Sequence, residues 1–380
     1  MHPRSATGSG LTPSVRVLVV NAGSSSLKLS VVGDDDELIL SENLPSPRGS
    51  VDADELRAAI ERAGRLDALG HRIVHGGSEF VEPVRIDERV VHRLHALSDL
   101  APLHQPKSLH GLEIVTRALP HVPAVACFDT AFHARMPAAA TTYALPPEWR
   151  KRWDLRRYGF HGLSHAYASR RAAELAGGEA EGFRVVTCHL GAGASLAAVA
   201  GGISVDTTMG FTPLEGLVMA TRSGSVDPGL LLWLEEHVGM PPSELASTLE
   251  HRSGLLGLTG SADMRAILAA EAAGNRDAAL AIDVYLHRLR AGIAAMTASM
   301  NGLDALVFTG GVGERSAAVR ERAANGLSFL GVALDARANA DPQLDAEIGA
   351  TDAFVRTFVI EAREDLQIAR DVRRALRTPA

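Results

Sequence analysis

The residues of this 380-residue chain that could do chemistry stand where apolar runs end. Arg72 lies in "GHRIVHGG", Asp129 in "FDTAFH", His161 in "RRYGFHGLSH", Arg222 in "GFTPLEGLVMATRSGSVDPG" and Glu364 in "EAREDLQIARD". Charged groups at the carboxyl ends of strands usually face the cleft of an α/β fold. Three glycine turns, "NAGSSSLK", "GAGAS" and "GGVGERS", also follow strand-like runs. Turns of this kind point backbone N–H groups, with serine hydroxyls, at an anion. The combination suits phosphoryl transfer, whose transition state spreads negative charge over oxygens that arginine, lysine, amides and Mg²⁺ stabilise. Acidic residues such as Asp129 and Glu364 can hold Mg²⁺ directly or through water. Two arginines make further sense if the acceptor is itself an anion.

Other chemistries fit less well. The Walker pattern G-x-x-x-x-G-K-[ST] is absent, and "GAGASL" and "GGVGER" lack the third glycine of a dinucleotide turn. His161 and His165 lack the glutamate of the zincin motif. His71, His75, His110 and His133 read as structural or polar fillers. Cys127 and Cys188 sit inside apolar runs and read as buried thiols rather than a disulfide framework. Net charge is −7 with three lysines, and "EWRKRWDLRRYG" is the longest basic tract, which disfavours a nucleic-acid partner. No apolar run has the length of a membrane span, and "MHPRSATGSGLTPS" reads as a polar disordered extension. A reducing cytoplasm fits these features.

These residues must be positioned by alternating elements. "VRVLVV", "LKLSVVG", "ALGHRIVHGG", "VPAVACFDT", "FRVVTCHL", "LAAVAGG" and "ALVFTGG" read as strands. "DADELRAAIERAG", "PKSLHGLEIVTRAL" and a long segment from Asp277 to Met300 have helical spacing. The alternation argues for α/β architecture, and a length of 380 residues for about two domains. "RVLVVNAG" at 16–23 aligns without gaps on "RVVTCHLG" at 184–191, a repeat that suggests two similar halves.

Taken in order, "NAGSSSLK", "GHRIVHGG", "APLHQPKSL", "FDTAFH", "RRYGFHGLSH", "CHLGAGAS", "DTTMGFTPLEGL", "TRSGSVDP", "SGLLGLTG", "DALVFTGGVGERS" and "EDLQIARD" resemble the acetate kinase family over nearly the whole chain. "MGFTPLEGL" and "RYGFHG" are the most specific strings. The resemblance implies two RNase H-like (actin-like ATPase) domains flanking a nucleotide cleft: 15–135 with 362–380, and 136–361 on the nucleotide and dimer side. It implies reversible, direct in-line phosphoryl transfer between ATP and acetate, with Mg²⁺ or Mn²⁺, in a cytoplasmic homodimer. Asn21, Ser24, Ser26 and Lys28 would line the first phosphate turn, with Asn21 and Glu364 at the metal and Asp129 helping to organise it. Arg72 and Arg222 would bind the carboxylate, His161 and Arg222 would stabilise the transition state, and His104 would support the site. Val74, Leu103, Phe160 and Pro213 would form the methyl pocket. His189, Leu190, Gly191, Ala192 and Gly193 would meet the nucleotide phosphates; Asp263, Met264, Arg265, Gly311, Val312, Gly313 and Arg315 would meet the adenosine.

Four positions depart from the family pattern. Ala192 replaces an asparagine in the second phosphate turn, and Arg315 replaces another on the adenine side. Gln105 replaces the asparagine of "LHNP", and Leu163 the threonine of "FHGTSH". Ala192 predicts weaker or altered nucleotide binding, and Arg315 leaves base preference open. A kinase for propionate or butyrate would keep the same machinery. A nucleotide sensor or chaperone-like ATPase would keep the glycine turns but need neither paired arginines nor an acid pocket.

Overall fold

The computed structural model describes residues 15–23, 26–46, 51–101, 105–178 and 181–377. The extension read at 1–14, and Ser24, Leu103 and His104, lie outside the described residues. Two six-stranded sheets organise the rest. The first holds β1 (Val17–Ala22), β2 (Ser26–Val32), β3 (Leu38–Pro45), β4 (Ala68–Ile73), β5 (Val84–Arg85) and β6 (Ala124–Phe128), ordered β3-β2-β1-β4-β6-β5. Strands β1 to β3 form an antiparallel meander, β4 and β6 continue parallel to β1, and β5 is an antiparallel edge. The second holds β7 (Arg184–Leu190), β8 (Ala194–Ala200), β9 (Ile203–Thr207), β10 (Ala305–Thr309), β11 (Ala346–Glu347) and β12 (Arg356–Val359). Its order from β9 inward, β9-β8-β7-β10-β12-β11, repeats the first sheet strand for strand, directions included. The repeat legible in the sequence therefore marks equivalent places: β1 and β7 are the central strands that open each sheet's hairpin.

The sheets share a core. Helices Gly162–Leu175 and Glu364–Arg377 lie between them, and one apolar cluster joins Val19 and Cys127 of the first sheet, Ala197, Val307 and Phe358 of the second, and Tyr167, Ala168, Leu366 and Val372 of the helices. Glu364–Arg377 forms a helix because Leu366, Ile368, Ala369 and Val372 make one apolar stripe. Its first turn carries Glu364 and Asp365 and its last turn Arg374 and Arg377, charges that suit the helix dipole. Each large apolar side chain buried there contributes about 1.5–3 kcal/mol. Helices Ala53–Ala63 and Gln105–Ala118 cover the outer face of the first sheet. Arg276–Ser299 covers the second, through Ile282, Leu286, Leu289, Ile293 and Met296.

Cys127 and Cys188 are free and buried, and burial pushes both thiols above their ordinary pKa. Among the described residues no helix is long and apolar enough to cross a membrane. One element differs from its sequence reading. The "GGVGER" of the third glycine turn is a six-residue helix, Gly310–Arg315, packed on the end of β7.

Candidate active site

The carboxyl ends of three parallel strands bring the first group of site residues together. Asn21 is the next-to-last residue of β1, Arg72 is near the end of β4, and Asp129 follows β6. Arg72 grips Asp129 with a two-pronged pair, Nη2 to Oδ2 at 2.6 Å and Nε to Oδ1 at 3.0 Å. Its Nη1 donates to Asn21 Oδ1 at 3.2 Å and lies 3.5 Å from Glu364 Oε2, which also accepts from Asn21 Nδ2 at 3.3 Å. Glu364 arrives at the head of its helix, 343 residues from Asn21 in sequence. Burial alone would lower the Arg72 pKa, but Asp129 and Glu364 outweigh it and hold the guanidinium firmly charged. Burial raises the Asp129 carboxyl, Arg72 pulls it back and Glu364 adds to the rise. Lys28 is the cross-strand partner of Asn21 in the β1–β2 hairpin and is exposed on the same face. Ser26 closes that hairpin by accepting from the Gly23 N–H at 2.8 Å.

His161 stands at the entry of Gly162–Leu175 in the left-handed region, φ 56°. A non-glycine residue held there is strained and needs over-determined surroundings. Two contacts supply them. The Gly162 N–H donates to the Asp129 carbonyl at 2.8 Å, and a Cβ at Gly162 would lie 2.1 Å from that oxygen, so only glycine admits the approach. Ser195 Oγ lies 2.9 Å from His161 Nδ1 and 2.8 Å from His165 Nε2, and His165 Nδ1 lies 2.7 Å from Thr187 Oγ1. We assign the protons so that Thr187 donates to His165, His165 to Ser195, and Ser195 to His161; the reverse order forces Thr187 onto the Ala197 carbonyl at 3.5 Å. His161 then keeps its Nε2–H. That nitrogen borders Gly193, where an added Cβ would lie 3.2 Å from it and 3.6 Å from Arg222 Nη1. Burial first, then His189, Arg72, His165 and Arg222, push His161 well below its ordinary pKa, so the ring is neutral near pH 7. His189 stacks on it, centroids 4.3 Å apart, and takes a hydrogen-bond contact from Ser164 Oγ at 2.8 Å. Arg222 Nη1 donates to the Pro213 carbonyl at 3.2 Å.

The expected acid pocket is partly in view. Phe160 and Pro213 are buried, and Val74 packs against the cluster that contains Phe160. A separate cavity of about 770 Å³ is bordered by Gly191, Ala192, Asp263, Met264, Arg265, Gly311, Val312 and Arg315. Gly313 is on the buried face of the short helix Gly310–Arg315, and Leu190 ends β7 under it. The β7–β8 hairpin is closed by Gly191 N–H to Gly193 O at 2.9 Å. Asp263 caps Met264–Ala272 and pairs with Arg265 at 2.8 Å, and that pairing holds its carboxyl down at about 2.

Two departures find a place. Leu163 is buried in the core between the sheets, and the Gln105 amide clamps the His75 backbone. The sequence reading missed Ser195 as the group that orients His161; its only signal was membership of "GAGAS", where its hydroxyl was assigned to an anion instead. Among the described residues no cluster of three His, Cys, Asp or Glu side chains makes a metal cage. The hard oxygens of Asn21, Asp129 and Glu364 instead fit Mg²⁺, which binds through one or two carboxylates with water and substrate phosphates completing its shell.

Sheets of this duplicated order, with polar groups at the strand ends between them, define an α/β protein of the actin-like ATPase fold. The Acetokinase family profile matches residues 50–370. Acetate kinase of Gloeobacter violaceus is 51% identical over 320 residues, 84% of this chain and 79% of its own. That of Bacillus thuringiensis is 42% identical over 390 residues, 94% and 98% of the two chains. Among solved structures, a propionate kinase from Francisella tularensis superposes with TM-score 0.87 at 33% identity, covering 95% and 99% of the chains. Porphyromonas gingivalis acetate kinase gives 0.86 at 34%, covering 95% and 100%. The chain belongs to the acetate kinase (Acetokinase) family, enzymes that use ATP, generally with Mg²⁺, to phosphorylate a carboxyl acceptor reversibly.

Proposed function

We propose that this chain is an acetate kinase, moving the γ-phosphoryl of ATP to acetate in line and yielding acetyl phosphate and ADP. The observation that carries the reading is the meeting of Arg72, Asp129, Asn21 and Glu364 at three strand ends. An acetate oxygen attacks phosphorus, the bond to the β–γ bridging oxygen breaks, and no proton need move. Arg72 and Arg222 hold the carboxylate and offset its repulsion from the phosphate. Asp129 keeps Arg72 aimed. Neutral His161 donates Nε2–H to an equatorial phosphoryl oxygen as charge builds there. Asn21 and Glu364 would hold Mg²⁺, with Asp129 organising the site; the ion would supply charge neutralisation on the β- and γ-phosphates. Lys28 and the 189–193 hairpin take the phosphates. The cavity beside Asp263–Arg265 and Gly311–Arg315 takes the adenosine.

Val74, Phe160 and Pro213 form the slot for the methyl group. One extra methylene costs only about 1–3 kcal/mol in such a slot, and likeness to a propionate kinase supports a second reading as a kinase for the next longer acid. Trapping acyl phosphate with hydroxylamine decides both questions. ATP-dependent hydroxamate with kcat/KM falling from acetate through propionate to butyrate upholds the proposal. A maximum at propionate selects the second reading, and no hydroxamate from any acid removes both. We further propose a cytoplasmic homodimer. Leu232 and Trp233, 58% and 51% exposed on helix Pro228–Trp233, support a joining surface in the second half, and buried free thiols suit a reducing compartment. The division into 15–135 with 362–380 and 136–361 is part of the same reading.

A further inference from the structure

Glu314 belongs to the third glycine turn but to none of the roles above. A single carboxylate oxygen, Oε1, accepts two backbone N–H groups: Gly310 at 3.0 Å and Ala362 at 2.9 Å. The first bond is local to helix Gly310–Arg315. The second crosses to a segment 48 residues away in sequence. That segment leaves β12, and Glu364 begins the next helix two residues after Ala362. β10 and β12 are parallel neighbours, so their carboxyl ends lie side by side, and Glu314 bridges them. The same short helix is pinned from beneath. Buried Arg320 donates to the carbonyls of Gly313 and Glu314 at 2.9 and 2.8 Å and to the Asn339 carbonyl at 2.6 Å. Gly310 itself abuts the Leu190 carbonyl at the end of β7, where the second phosphate hairpin begins.

We propose that Glu314 is a positioning residue that couples the nucleotide side of the cleft to Glu364. It acts through backbone N–H groups rather than by touching ligand. A nucleotide that orders Gly310–Arg315 thereby orders the segment carrying Glu364, and an ion held at Glu364 steadies the nucleotide turn in return. Such coupling is reciprocal. The inference rests on the reading of the cavity beside Gly311 and Arg315 as the nucleotide site.

The test is calorimetric titration of the full chain with ADP, with and without Mg²⁺. It compares the wild type, Glu314→Ala and Glu314→Gln, and adds amide hydrogen exchange at Gly310 and Ala362 in the ligand-free protein. Glutamine keeps an oxygen in place for both N–H groups, whereas alanine keeps none. Glu314→Ala is expected to cut the tightening of ADP by Mg²⁺ about tenfold, the scale of two hydrogen bonds lost from a partly buried site. Both amides should exchange faster in that variant, and Glu314→Gln should restore both readouts. Equal tightening in Glu314→Ala and wild type overturns the coupling, even if the variant melts earlier. So does a Glu314→Gln as impaired as alanine, because the charge would then matter and not the shared oxygen. If the wild type binds no ADP, the cleft reading itself fails and the coupling with it; binding in the wild type separates the two failures.

Discussion

The side-chain amide of Gln105 closes on both polar groups of the His75 backbone, accepting from its N–H at 3.1 Å and donating to its carbonyl at 3.0 Å. Gln105 is fully buried as the first residue of helix Gln105–Ala118, and His75 directly follows Val74 of the expected methyl pocket. The ring is fixed as well: its Nδ1 accepts from the Gly77 N–H at 2.9 Å, and it packs edge-on against Tyr158 and Phe160. Gln105→Ala leaves a buried donor and a buried acceptor without partners, each worth about 1–3 kcal/mol. Urea unfolding should register a loss of about 2–6 kcal/mol by the same reckoning. In the same variant KM should rise for acetate more than for MgATP, because the displaced backbone adjoins Val74 of the proposed methyl slot. A stable variant with unchanged KM for acetate would show that the clamp does not set the pocket.

Arg72 serves two ends, and its loss should be visible in both. In the proposed mechanism Arg72→Ala removes carboxylate and phosphate stabilisation, so turnover should drop by about 10²–10³-fold or more. It also strands Asp129, which is almost wholly buried, as an unpaired carboxylate. Breaking a buried pair from one side costs about 3–5 kcal/mol. The double variant Arg72→Ala/Asp129→Ala should recover part of that stability and none of the activity, since neighbours that share a partner are non-additive. Denaturant midpoints and kcat on the three proteins measure this. Near-normal turnover in both Arg72→Ala and Arg222→Ala would remove the case for acid binding by paired arginines.

How far the sequence reveals this site depends on distance along the chain. Asn21, Arg72 and Asp129 are legible because each closes an apolar run, and strand ends in a parallel sheet share one edge. The duplicated sheet is legible because β1 and β7 keep the same local spelling. Gln105, Ser195 and Glu314 are not legible in the same way. Each lies inside a quoted motif, yet its partner sits 30, 34 or 48 residues away and is reached only after strands pair in register. A buried glutamine beside a proline reads equally as a helix start, and a serine after glycines as one more phosphate donor.

Buried histidines should set the acid limit of stability. Burial lowers His75 and His133 to about 4 and His71 to about 3, and pushes His165 well below its ordinary value. In the native protein these rings stay neutral, while in the unfolded chain they take up protons near pH 6.5. Well above that pH both states bind the same number of protons, and these groups contribute no slope. Below it the unfolded state binds more, so stability falls with falling pH by about 1.4 kcal/mol per pH unit per histidine. The fall runs from pH 6.5 down to about 4 for His75 and His133 and lower for His71. Urea midpoints at pH 7.5, 6.5, 5.8 and 5.2 should begin to fall between the first two, where the unfolded rings become half protonated, and then drop more steeply. Paired carboxylates such as Asp304, held down by Arg184, add their own loss only at lower pH. A midpoint constant to pH 5.2 would mean that the rings protonate without unfolding.

Ala192 is the position where a gain rather than a loss is expected. It lies at the tip of the β7–β8 hairpin, its carbonyl accepts from the Ala220 N–H at 3.1 Å, and it borders the cavity shared by Gly311 and Leu255. Backbone N–H groups remain to meet a phosphate, but no side-chain donor stands there. Ala192→Asn adds an amide without asking the backbone to move, because the carbonyl anchor is independent of the side chain. One further hydrogen bond to a charged oxygen is worth about 1.5–3 kcal/mol at best. Part of that is spent on ordering the new side chain, so ADP should bind about three- to tenfold tighter by calorimetry. KM for acetate should stay put, since Val74, Phe160 and Pro213 do not border that cavity. Unchanged or weaker ADP binding would mean that the hairpin holds phosphate through its backbone alone.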